Sequence, residues 1–128
     1  MQTKNVYLSD LHFEHKVWAN ELRFVKDEIS IFETRLEEVV SKNTSKEILS
    51  KCEHYQNQFI REKEVIDEIM HEITKHEDAL NEFTADNPVA VDHQNFRDHK
   101  GVRESIVRFR TIYKELKDKF AIFLSETL

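Results

Sequence analysis

The sequence predicts an all-α protein, an elongated antiparallel three-helix bundle with coiled-coil-like heptad packing, on three observations. Apolar residues recur at alternating steps of four and three along three long stretches, the spacing that keeps one stripe of a helix facing its neighbours. A single Gly and a single Pro in 128 residues leave little material for turns. The balance of 34% charged and 39% hydrophobic residues suits long amphipathic helices, and nine Phe supply a core that disordered chains lack. One domain over residues 1–128 holds all three helices, expected at about 9–42, 45–84 and 92–127.

The first helix is expected to be capped by Ser9 or Asp10, with Leu8 packed on Phe13 as a hydrophobic staple. Its seam reads Leu11, His15, Trp18, Leu22, Val25, Ile29, Phe32, Leu36 and Val39. It stops near Asn43, a residue suited to the left-handed conformation that ends helices. Thr44 and Glu47 then have the spacing of a capping box for the second helix. That helix carries the longest seam: Ile48, Cys52, Tyr55, Phe59, Glu62, Ile66, Ile69, Ile73, His76, Leu80 and Phe83. Pro88 disfavours helix in the residue before it, and Asp92 caps the third helix, with Val91 and Phe96 as its staple. The third seam is His99, Val102, Ile106, Phe109, Tyr113, Leu116, Phe120 and Phe123, and Gly101 is its weak point, costing ~1 kcal/mol relative to Ala.

Short links make chain neighbours antiparallel, so facing residue numbers should have a constant sum. Positions 11 and 76, 18 and 69, 25 and 62, and 32 and 55 all sum to 87 on the first two helices. Positions 76 and 99, 69 and 106, 62 and 113, and 55 and 120 sum to 175 on the last two. This register puts Leu11 level with His76 and His99, His15 level with Ile73 and Val102, and Trp18 level with Ile69 and Ile106.

Two places on the seams break the apolar rule. His15, His76 and His99 lie on three different helices within two adjacent layers, His12 is one turn before His15, and Glu72 is one turn from His76. Imidazoles from separate helices of a bundle can hold a transition metal such as Zn or Fe, with Glu72 as a further ligand. The plainer alternative, which the sequence alone favours, is a wet bundle end where histidines share hydrogen bonds. A hemerythrin-like di-iron arrangement does not fit, because on a continuous helix His54 and His76 stand roughly 33 Å apart. The second break is Glu62, level with Val25 and Tyr113, where a hydrogen bond from the Tyr113 hydroxyl would relieve a buried carboxylate.

The net charge of −6 argues against a general nucleic-acid binder and against anionic membranes. The basic residues of the third helix instead suit the acidic excess of the second, selecting partner and orientation within the bundle. No stretch has the length and apolarity of a membrane span, and Met1 to Tyr7 lack the pattern of a secretory signal, so a cytoplasmic location is expected. Cys52, on a buried seam, is expected to be an inert reduced thiol.

Phe13, Val17, Phe24 and Ile31 form a row on the first helix away from its seam, which suits a homodimer or a partner protein docking on that outer face. The function expected from sequence is therefore a non-enzymatic helical-bundle module for protein interaction or assembly. A small helical metal-binding protein is the alternative, and an enzyme comes third, without a candidate reaction.

Overall fold

The computed structural model describes residues 8–84 and 93–128, with side chains over 9–83 and 97–128. They form α1 (Leu8–Lys42), α2 (Lys46–Thr84) and α3 (His93–Thr127), packed against one another with no strand among the described residues. Lengths of 35, 39 and 35 residues correspond to rods of about 50–60 Å. The helix ends fall within one residue of those expected from the sequence.

The turn between α1 and α2 is built differently from the expectation. Asn43 keeps a negative φ, as does every described non-glycine residue, and ends α1 by donating from its side-chain amide to the Val39 carbonyl at 2.8 Å. The cap of α2 is Ser45, not Thr44: its Oγ accepts the Ile48 amide at 3.4 Å, which satisfies one of the free donors of the first turn. The second link with Pro88, the Asp92 cap and the staples through Leu8, Val91 and Phe96 lie outside the described residues or side chains. α3 passes through Gly101 unbroken, and a Cβ there would meet nothing within 4 Å, so this glycine neither breaks the helix nor admits a close neighbour.

Side-chain pairs fix the helix directions. Partners on α2 fall in number as those on α1 rise: His12 with Glu77, Lys26 with Asp67, Glu33 with Lys63. α1 and α3 rise together, Glu14 pairing with Arg103, Glu21 with Arg110 and Glu28 with Lys117 at 2.7, 2.7 and 2.9 Å. These three rungs repeat every seven residues, and their acids come from α1, where the sequence reading had placed the complementary charge on α2. Each such half-exposed pair contributes at most ~1 kcal/mol, but a repeat of this kind sets the register.

The expected pairs Phe32 with Phe120, Tyr55 with Phe120 and His76 with His99 are in ring contact. His15, expected one layer away, also reaches His76 and His99, its ring centroid 5.1 and 5.0 Å from theirs. Helical side chains lean toward the N-terminus of their own helix, so in an antiparallel pair each reaches back past the residue opposite it. Counting by residue number alone misses that lean.

Most seam residues are buried, and Trp18, Ile69 and Ile106 belong to one core cluster that runs from Trp18 and Val102 to Cys52 and Phe123. Phe32, Ile48 and Tyr55 are only partly buried and close this core from its flank. One half of the rod is aromatic: Phe59 meets Phe120 edge to face at 4.9 Å, and Phe32 and Tyr55 pack on the same Phe120 ring at 5.5 and 5.3 Å. Burial pushes the Cys52 thiol up, which keeps it protonated and unreactive. No helix among the described residues is long and apolar enough to cross a membrane.

Candidate metal centre

At the end of the bundle away from the α1–α2 turn, each helix contributes one imidazole from its seam. His15, His76 and His99 are 4, 5 and 0% exposed, and one ring nitrogen of each lies within 4.8 Å of the others. Mid-helix backbone holds all three, so their positions are set by the same packing that buries Trp18, whose ring stacks on His99 at 4.9 Å.

Two carboxylates orient the rings from outside. Glu77 accepts from His15 Nδ1 at 2.6 Å and, through its other oxygen, from His12 Nδ1 at 2.6 Å. Glu14 accepts from His99 Nε2 at 2.6 Å and from the Arg103 guanidinium at 2.7 Å. Burial alone would raise both carboxyls, but the hydrogen bonds from Arg103 and His99 to Glu14, and from His15 and His12 to Glu77, outweigh it and hold them below the usual carboxylate range. Both are therefore acceptors at neutral pH, which places an N–H of His15 on Nδ1 and one of His99 on Nε2.

The inner nitrogens of these two rings, His15 Nε2 and His99 Nδ1, stand 3.1 Å apart. At that distance the pair can share a single proton, or present both lone pairs to a cation. The donor nitrogens of a tetrahedral zinc site, with bonds of about 2.0–2.1 Å, are separated by roughly 3.3 Å. His76 completes the set: both of its ring nitrogens are buried and meet no protein hydrogen-bond partner. Burial, with added repulsion from His15 and His99, pushes its imidazole down to about 4, so at neutral pH it is an uncharged imidazole with a free lone pair. Burial also lowers His99 despite the hydrogen bond to Glu14. Imidazoles with outward N–H groups held by carboxylates are an arrangement found around zinc and related ions.

His12 joins the set from the rim, through Glu77. Glu72 does not: it is exposed on α2 and belongs to neither group of convergent ligands. Glu14 and Glu77 were missed in the sequence because they sit beside the seam rather than on it. Their signal was adjacency, each next to a seam histidine, and the heptad repeat of Glu14, Glu21 and Glu28.

The other two sets of singled-out residues also have definite places. Glu62 is 7% exposed and Tyr113 is equally buried, but they do not bond to each other. The Tyr113 hydroxyl donates to Glu28 at 2.6 Å, and Glu62 Oε1 has no hydrogen-bond partner. A phenol is long enough to pass the seam and reach the flanking groove between α1 and α3, whereas Glu62 borders the groove between α2 and α3 beside Arg61, Arg108 and Phe109. Phe13, Val17, Phe24 and Ile31 are 68, 44, 65 and 62% exposed on α1.

Comparison with protein-family models, curated proteins and solved structures gives no match, so the functional reading rests on geometry.

Proposed function

We propose that this chain is a transition-metal-binding helical bundle, with His15 Nε2, His99 Nδ1 and one nitrogen of His76 as ligands. The observation that carries the reading is the facing pair of inner nitrogens, each backed by a carboxylate on the opposite side of its ring, with the unpartnered His76 beside them. Three imidazoles favour zinc or a neighbouring divalent ion over magnesium or calcium, which take oxygen ligands. A bound ion would take both inner nitrogens as donors in place of the single proton they can otherwise share. Chelator-stripped protein titrated with Zn(II) is expected to take up a stoichiometric ion and melt at higher temperature, because a ligand that binds only the folded state stabilises it. His76→Leu, which preserves volume and helix content, is expected to abolish both effects. Wild-type protein that binds no zinc stoichiometrically would overturn the reading.

A second reading, the interaction or assembly module favoured by the sequence, is supported by the exposed row Phe13, Val17, Phe24 and Ile31. It makes the outer face of α1 the contact surface of a homodimer or a partner protein. Sedimentation of wild type and Phe24→Glu at micromolar concentration tests the homodimer: a dimer lost in the variant supports it, and a wild-type monomer removes it. Both readings describe a binding protein and assign it no reaction.

A further inference from the structure

His15 has two engaged faces. Its Nε2 looks inward to His99, while its Nδ1 looks outward to a second group made by His12 Nδ1 and the two oxygens of Glu77. The ligand atoms of His12, His15 and Glu77 also lie within 4.8 Å of one another. Unlike the inner set, this one is partly open, with the side chains of His12 and Glu77 29 and 34% exposed. It lies in a surface recess of about 310 Å³ that Thr74 and Asp78 also line.

We propose that the outer group is a second transition-metal position, so that two divalent ions sit on opposite sides of the His15 ring, which bridges them as an imidazolate. The proposal rests on the inner site of the preceding section, since only an ion on Nε2 makes His15 a bridge. Two nitrogen donors and a carboxylate form a ligand set of ordinary composition for zinc or copper. An ion already bound at Nε2 draws electron density from the ring and makes the Nδ1–H more acidic. The incoming outer ion replaces that proton, which leaves to solvent. His12 presents its lone pair by carrying its own proton on Nε2, and Glu77 turns from hydrogen-bond acceptor to ligand without changing charge. The recess gives the outer ion a path from solvent, while the inner ion is enclosed by the three helices. The two positions should therefore fill and empty at different rates.

The test uses the full chain, stripped with a chelator and loaded with Cu(II) or Zn(II). Two equivalents are expected to bind wild type, and the second copper should diminish the electron paramagnetic resonance signal per ion, because copper ions sharing an imidazolate couple antiferromagnetically. His12→Ala alters only the outer group and is expected to hold one equivalent with an undiminished copper signal. His76→Leu is expected to lose the bridged signature. Wild type that binds a single ion, lost in His76→Leu and kept in His12→Ala, would overturn the bridged pair and leave the mononuclear site standing. Two equivalents that persist in His12→Ala, or two coppers without coupling, would also overturn it. Wild type that binds no ion at all would remove both readings together.

Discussion

Tyr113 on α3 donates its hydroxyl to Glu28 on α1 at 2.6 Å, and Lys117 holds the other oxygen of the same carboxylate at 2.9 Å. The bond ties the two helices that are not consecutive in the chain. Burial, with the Glu28 carboxylate beside it, pushes the phenol well above its usual range. Tyr113→Phe is expected to lower stability by about 1 kcal/mol, and a double-mutant cycle with Glu28→Gln should assign most of that to this pair. A Tyr113→Phe variant as stable as wild type would show that Lys117 alone satisfies Glu28.

Glu62 is expected to behave in the opposite sense. Burial raises its carboxyl, with only partial relief from Arg61, and one oxygen lacks a partner. A raised carboxyl means that the folded state holds its proton more tightly than the unfolded chain, so this residue's contribution is best at low pH and is lost as pH rises through the folded-state value. Glu62→Leu should therefore stabilise the protein at pH 7 by about 1–2 kcal/mol, measured by urea denaturation. Destabilisation would mean that the carboxylate finds charge compensation among Arg61 and Arg108 after all.

His76 gives a pH dependence of the reverse sign in chelator-treated protein. Its imidazole titrates at about 4 in the folded state against 6.5 for the ordinary group, so between these values the unfolded chain binds the extra proton. Stability is expected to fall as pH drops from about 6.5 to about 4, by about 3 kcal/mol for this group. His76→Leu should flatten that limb of the profile. An unchanged slope in the variant would place the proton uptake elsewhere.

Gly101 lies on the exposed side of a continuous α3 with open space around the position of a Cβ. Gly101→Ala is expected to stabilise by about 1 kcal/mol, seen as a higher melting temperature, through the lower backbone entropy of the unfolded chain. A loss of stability would indicate that helix continuity at this point depends on the glycine.

The helices and their buried stripes were legible in the sequence because period is a one-dimensional property: Leu22, Ile29, Ile66 and Ile106 recur at the spacing that buries them. Convergence at the site was legible only in part. The seam marked His15, His76 and His99 in two adjacent layers, but not that His15 would reach both other rings, since side-chain lean is not written in residue numbers. The supporting carboxylates were hidden for a related reason. Glu77 and Glu14 flank the stripe, and whether a flanking acid meets an imidazole, an arginine or water depends on which helix lies beside it. Tyr113 was matched to Glu62 by level alone, and the groove it leans into decided for Glu28.

The histidine tier also bears on how the rod comes apart. At that end, α2 and α3 are joined by the chain itself, whereas the first turns of α1 are held by the buried Leu11 and by hydrogen bonds from Glu14, His12 and His15 to groups on the other two helices. The opposite end of α1 is anchored by a three-residue turn. Unzipping should therefore begin at the opening turns of α1 and travel toward Lys42, with the tier acting as the latch. Amide exchange along residues 9–20 is expected to slow on zinc addition if the proposed site fills, which would read its occupancy from the behaviour of a single helix end.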